Sequence, residues 1–206
     1  LLTQHIIEAG DNAKPEKLLI NLLAISMGGM IATQWAQQYP EEIQQLVLIN
    51  TSFKHFSPIN ARFNLHFLPK ICRALLHSKT TQTSESIERL IFHITSNKAL
   101  EPEQKQRLLT SWQKLAIQQP VSVANLFRQL YAANQFSPPR EKPNVPVLLL
   151  ASRQDRLVKV QCSQAIQKAW QCPIAYHASA GHDLPLDEPQ WLLEKLSAIS
   201  QPHSAS

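Results

Sequence analysis

Three residues of this chain are of the types that can combine into a nucleophilic centre: Ser26, Asp155 and His182. A serine hydroxyl is a poor nucleophile near neutral pH. It needs an imidazole to take its proton and a carboxylate to fix the imidazole's tautomer and stabilise its cation. Ser26 stands where the apolar run Leu18-Leu19-Ile20-Asn21-Leu22-Leu23-Ala24-Ile25 stops and Met27-Gly28-Gly29-Met30 begins. A serine on such a strand-to-helix bend has its hydroxyl exposed above the sheet, the geometry of a nucleophile elbow. Among the 8 histidines, His182 alone follows both a short strand-like run, Ile174-Ala175-Tyr176, and a glycine in a turn. The aspartates are Asp11, Asp155, Asp183 and Asp187. Asp155 lies just past Val147-Leu148-Leu149-Leu150-Ala151, and open α/β sheets place functional residues beyond the C-terminal ends of their strands. Asp183 is the rival acid, but as the neighbour of His182 it has difficulty reaching the far ring nitrogen. It is expected to cap or brace the turn, and Asp187 to cap the final helix.

These three residues need a scaffold, and the sequence predicts one. The run Leu18–Ile25 is too continuously apolar for a half-wet strand and too short for a membrane span, which predicts the buried central strand of a parallel sheet. Gly29, Ala32 and Ala36 recur at helical spacing and let the following helix lie close against that strand. That helix is expected to stop near Pro40, and Leu46–Ile49 to form a second buried strand, completing a parallel βαβ unit. From Phe53 to about Phe136 the strand signal disappears. Ile87, Leu90, Ile91 and Ile94, then Leu108, Trp112 and Leu115, then Val123, Leu126, Phe127, Leu130 and Tyr131 recur at helical spacing, with Pro102 and Pro120 at expected helix starts. A further helix is expected around Leu65–Leu76, and the end of another over residues 1–10, closed by Gly10. A proline-rich return over Ser137–Pro146 leads to the strand before Asp155. An amphipathic helix through Ala165, Ile166 and Trp170 follows, then the short strand, the His182 turn and a last helix with Trp191, Leu192, Leu193 and Leu196. The domain plan is a core half over residues 1–52, a helical insertion over 53–142, a second core half over 143–199 and a tail over 200–206.

Ser26-Met27-Gly28-Gly29-Met30, then Tyr39-Pro40-Glu41 and Leu46-Val47-Leu48-Ile49-Asn50, resemble the core of an α/β-hydrolase. The turn Ser152-Arg153-Gln154-Asp155-Arg156-Leu157-Val158 and the segment Gly181-His182-Asp183-Leu184-Pro185 resemble their counterparts in that family, and the order Ser26, Asp155, His182 is that of its triad. The first glycine of G-x-S-x-G is replaced here by Ala24, a mild departure because the position needs a small side chain. The resemblance implies an α/β fold of mostly parallel sheet with a helical cap inserted over the active site. It implies a serine hydrolase in which Ser26 attacks, His182 shuttles the proton, Asp155 orients His182 and the backbone N–H of Met27 holds the oxyanion. In this family several strands and a second oxyanion donor precede the nucleophile strand. The chain therefore resembles the C-terminal part of a longer hydrolase, and without that donor its own turnover is expected to be low.

The substrate is less defined. A serine at the elbow argues against haloalkane dehalogenases and epoxide hydrolases of this fold, which use an aspartate there. Esterase, thioesterase, amidase and C–C hydrolase chemistry stay open, with a small carboxylic ester or thioester as the expectation. Phe53, Trp112 and Phe127, with Phe63, Phe67 and Tyr131, could line an apolar acyl pocket, although aromatics at helical spacing also arise from plain packing. No metal or organic cofactor is implied.

At 206 residues the chain can bury one sizeable core. Cys72, Cys162 and Cys172 show no CxxC pair, which suits unpaired thiols in a reducing compartment, and the N-terminal residues do not resemble a signal peptide. A cytoplasmic, non-membrane protein is expected. The net charge is +5, yet residues 53–142 alone carry 13 Lys+Arg against 5 Asp+Glu. A basic helical segment is usually a solvated face; its functional reading is attraction for an anionic substrate, free or carried on an acidic carrier protein. The spread of those charges and the lack of a nucleic-acid motif argue against nucleic acid. The other class of function consistent with the sequence is an idle hydrolase remnant that binds an acidic partner through this basic region.

Overall fold

The structure, a computed structural model, describes residues 18–71, 81–120 and 122–200. Four strands, β1 (Ile20–Ile25), β2 (Ile43–Ile49), β3 (Val147–Ser152) and β4 (Ile174–His177), form one sheet in the order β1-β2-β3-β4. Every pairing is parallel, with Leu22 opposite Leu46, Leu48 opposite Leu149 and Leu150 opposite Ala175. All four C-terminal ends therefore open on the same edge of the sheet.

Alternation along the strands sends side chains to two faces. Leu46, Leu48, Val147 and Leu149 join Met30, Ala32, Ile166 and Trp170 in one core. That face is covered by α1 (Met27–Gln38) and α6 (Gln161–Trp170). Val47, Ile49 and Leu150 join Leu184 and Leu192 in a second core on the opposite face. There α7 (Leu184–Asp187) and α8 (Pro189–Ser200) complete the third layer. Strand positions covered on both faces need apolar residues throughout, which is why Leu46–Ile49 of β2 and Val147–Ala151 of β3 read as unbroken runs. Leu48 and Leu149 are each 1% exposed, and burial of such a side chain contributes about 1.5–3 kcal/mol.

Among the described residues β2 is the strand partner of β1, and on β1 Ile20 and Leu23 are 38% and 43% exposed.

Between β2 and β3 the described chain is helical: α2 (Ile59–Arg62), α3 (Thr81–Thr95), α4 (Pro102–Gln118) and α5 (Val123–Gln135). Pro102 occupies the first turn of α4, as expected. Pro120 does not start α5; Ser122 caps it, its side chain accepting from Asn125 N. Leu65–Phe67 makes a 3-10 turn and residues 68–71 are helical, as expected there, whereas residues 72–76 of that expected helix, Cys72 among them, the helix over residues 1–10 and residues 201–206 lie outside the described residues. Cys162 and Cys172 are buried free thiols. No described helix is long and apolar enough to cross a membrane.

Candidate active site

Ser26 sits between β1 and α1 with φ 52° and ψ −123°. For a residue with a Cβ this backbone region costs about 1–3 kcal/mol, and it persists only where the surroundings over-determine it. Three hydrogen bonds do so here. Ser26 N donates to Ile49 O at 2.9 Å, and Ser26 O accepts from Gly29 N at 3.0 Å and from Thr51 Oγ1 at 2.7 Å. Gly29 permits the last of these, because a Cβ on it would lie 2.7 Å from Thr51 Oγ1 and 2.8 Å from Thr51 Cβ. Met27 is the first residue of α1, a position whose backbone N–H has no intrahelical partner.

Asp155 and His182 are brought together from separate strand ends. Asp155 Oδ2 lies 2.7 Å from His182 Nδ1, and the two side chains are 1% and 8% exposed. The other oxygen, Oδ1, accepts from Leu157 N at 2.8 Å and Val158 N at 2.9 Å. Both oxygens are therefore occupied, which fixes the rotamer and keeps Oδ2 on the ring. Asp183 does not compete for that ring nitrogen. Its side chain caps α7 by accepting from Leu186 N at 3.3 Å. Burial is the main reason its carboxyl is held above the ordinary range; Asp187 pushes the same way, against Leu186 N and His182.

Ser26 lines a cavity of about 320 Å³ together with Met27, Ser52, Arg62, Leu157 and Val158. The two residues whose N–H groups hold Asp155 thus share a wall with the serine. Among the described residues no hydrogen bond joins Ser26 Oγ to His182; contacts of this kind commonly tighten only with substrate bound. A larger groove of about 670 Å³ runs along α1 past Met27, Ile31 and Trp35, but its wall includes none of Ser26, Asp155 and His182. We therefore take the smaller cavity as the candidate site.

Several expectations need correction. Phe53, Trp112 and Phe127 are not in the wall of the Ser26 cavity. Phe53 is 0% exposed and packs in the core against Phe56, Phe136 and Trp170. Trp112 packs beside Phe92 in the helical segment, and Phe127 is 48% exposed. Of the further aromatics, Phe63 does line the cavity, and Tyr131 is exposed. Helical spacing identifies the helix face that carries a ring and not what that face meets. Asp187 does not cap the final helix. Its carboxylate accepts from Ser96 Oγ at 2.5 Å, Asn97 N at 2.9 Å and Gly181 N at 2.6 Å. It thereby ties the segment after α3 to the His182 turn. Asp183 N donates to Thr95 O at 2.8 Å in the same junction, and a Cβ on Gly181 would lie 2.7 Å from Thr95 O.

Sequence reasoning missed the role of Asn50. This residue, 3% exposed, follows β2 with φ 47°, a left-handed conformation that asparagine tolerates better than most residues. Its Nδ2 donates to His182 O at 2.8 Å and Ser152 Oγ at 3.0 Å and approaches Gly181 O at 3.3 Å, while its Oδ1 accepts from Ser152 N at 2.8 Å. One amide thus joins the ends of β2 and β3 to the backbone of His182. The available signal was an asparagine directly ending an apolar strand.

Comparisons with known proteins agree with this architecture. The family model described as the alpha/beta hydrolase fold matches residues 13–189. A search of curated proteins finds no match. Among solved structures, the chain is similar to an esterase from Exiguobacterium antarcticum, with 16% identity, a TM-score of 0.66, and coverage of 88% of this chain and 66% of that one. It is also similar to a 2-hydroxy-6-oxo-6-phenylhexa-2,4-dienoate hydrolase from Rhodococcus sp. strain RHA1, with 17% identity, a TM-score of 0.63, and coverage of 88% and 64%. A bacterial membrane phospholipase A shows 20% identity, a TM-score of 0.65, and coverage of 89% and 57%. At these identities the likeness establishes the fold, and the chain spans less than two thirds of the length of the first structures it matches, 60% and 57%.

Proposed function

Because the chain belongs to the α/β-hydrolase fold family, we propose that it acts as a serine hydrolase on a small carboxylic ester or thioester through a covalent acyl-enzyme. The observation that carries this reading is the Asp155–His182 contact of 2.7 Å between nearly buried side chains, on the same sheet edge as a serine held at φ 52°. In the proposed cycle, Ser26 Oγ attacks the carbonyl carbon and its proton passes to His182 Nε2. Asp155 Oδ2 accepts the Nδ1–H, which leaves Nε2 as the basic nitrogen and stabilises the imidazolium. The Met27 N–H donates to the developing oxyanion. Collapse expels the alcohol or thiol with the proton returned by His182, and water, deprotonated by the same ring, then releases the acid. Cytoplasmic action on a free or carrier-borne acyl group belongs to the same proposal.

The test is hydrolysis of 4-nitrophenyl butyrate and of an S-alkyl thiobutyrate by the native-length protein and its Ser26→Ala variant. The expected result is a loss of kcat of at least about 10³-fold with the folded state intact. Turnover that survives the substitution refutes the assignment.

A further inference from the structure

The wall of the Ser26 cavity contains one side chain whose chemistry the proposed reaction leaves unused. Arg62, the last residue of α2, is 6% exposed and shares that wall with Ala133 and Asn134. One Nη donates to Ala133 O at 2.6 Å and the other to Asn134 O at 3.4 Å, both carbonyls near the end of α5. The Nε–H is buried with no hydrogen-bond partner. Among the described residues no carboxylate pairs with this guanidinium. The ionisable group that acts on it electrostatically is the Cys162 thiol, which burial above all holds in its neutral form. Burial likewise pulls the Arg62 pKa down. A buried guanidinium with no carboxylate beside it is an unfavourable arrangement, and an anion entering the cavity that Arg62 lines would offset it.

The cavity also continues. A second space of about 230 Å³, lined by Ile87, Leu90, Ile94 and Leu126, shares Phe63, Leu130 and Leu157 with the first. Its wall is apolar apart from Thr95, whereas the first holds Ser26 and Arg62. Each Nη of a guanidinium carries two N–H donors and Arg62 uses one bond from each on a carbonyl, which leaves donors for a carboxylate.

We propose that Arg62 is a substrate-binding residue that takes a free carboxylate on the substrate, with an aliphatic chain lying in the adjoining apolar space. The substrate class is then an ester or thioester that carries a second, unesterified carboxylate, such as a dicarboxylic half-ester. The proposal rests on the reading that the Ser26 cavity receives the substrate. A purely structural Arg62, closing the end of α5, would affect stability without discriminating between charged and neutral ligands.

The experiment is calorimetric titration of the full chain with octanoate and with its neutral isostere octanamide. Octanoate is expected to bind about 10- to 100-fold more tightly, the range for a charge-assisted hydrogen bond. The preference should vanish in Arg62→Gln and persist in Ser26→Ala, which separates Arg62 from any carboxylate site at the serine. A measurement on the unaltered protein covers the case in which Arg62→Gln does not fold: the Arg62 guanidinium Nη–H resonances should move with octanoate and not with octanamide. Equal binding of the two ligands, or a preference that survives Arg62→Gln, overturns the proposal. The two readings fail separately. Hydrolysis indifferent to Ser26→Ala, with the octanoate preference intact, removes the hydrolase and leaves the anion site. Loss of the preference with Ser26-dependent hydrolysis intact does the reverse.

Discussion

Replacing Asn50 tests whether one buried amide holds the His182 turn in place. Asn50→Ala removes donors from His182 O, Ser152 Oγ and Gly181 O and the acceptor of Ser152 N. The last matters because Ser152 is 0% exposed, so its N–H has no access to water. Two buried groups left unsatisfied, His182 O and Ser152 N, cost about 1–3 kcal/mol each, and alanine at φ 47° adds roughly 1 kcal/mol. The expected loss is about 3–7 kcal/mol, a large share of the roughly 5–15 kcal/mol typical of a domain.

Asn50→Asp is the sharper variant because it preserves shape and keeps the acceptor of Ser152 N, but sets an acceptor 2.8 Å from His182 O. Protonation of the introduced carboxyl restores one donor, so its folded-state pKa is raised above the ordinary value near about 3.9. With the folded pKa raised, the folded state binds more protons than the unfolded state between the two pKa values. The variant is therefore least disadvantaged below about pH 4 and weakens as pH rises through the folded pKa, by roughly 1.4 kcal/mol for every pH unit that separates the folded from the unfolded pKa. Urea midpoints of both variants, each referred to the unaltered protein at pH 4 and pH 8, provide the assay. An Asn50→Asp midpoint equal to the parent's at pH 8, or a deficit that does not change between the two pH values, refutes the reasoning.

The glycines of the elbow should respond in opposite directions. Gly29→Ala drives a Cβ into Thr51 and is expected to lose about 1–3 kcal/mol in urea unfolding. Gly28→Ala meets nothing within 4 Å and should gain about 0.5–1 kcal/mol from the helix preference for alanine. Asp183→Asn keeps a capping acceptor and removes a carboxyl whose pKa burial raises. Such a group contributes fully below the unfolded carboxyl pKa and loses that contribution as pH rises through its folded value. Thermal midpoints should therefore match near pH 3.5 and favour Asp183→Asn at pH 8. Asp155→Asn should leave a folded protein whose ester turnover falls by about 10⁴-fold, because the amide favours the wrong His182 tautomer; a loss below tenfold would argue that Asp155 is not the orienting acid.

The parts of this molecule that were legible in the sequence are those encoded locally. Leu46–Ile49 of β2 and Val147–Ala151 of β3 read as strands because burial on both faces requires unbroken apolar runs, and α4 because Leu108, Trp112 and Leu115 recur with a proline in the first turn. Asp155 and His182 stood out because each follows such a run, and the structure joins them. What was illegible depends on contacts distant in sequence. Asn50 and Gly181 meet across 131 positions, and Asp187 and Ser96 across 91, so neither the amide hub nor the carboxylate tie has a local signature. Arg62 read as one more charge in a basic segment, because composition cannot separate a solvated guanidinium from one that is 6% exposed. The core position of Phe53 follows from the same limit: apolar character marks a residue for burial without naming its neighbours.

The central claim, that Ser26 is an activated nucleophile, is tested most directly by treating the native-source protein with a fluorophosphonate and locating the adduct by peptide mass. The account predicts a phosphonylated peptide containing Ser26, abolished by Ser26→Ala and strongly slowed by His182→Ala. An unmodified Ser26 peptide from folded protein, or labelling of Ser26 at the same rate without His182, contradicts it.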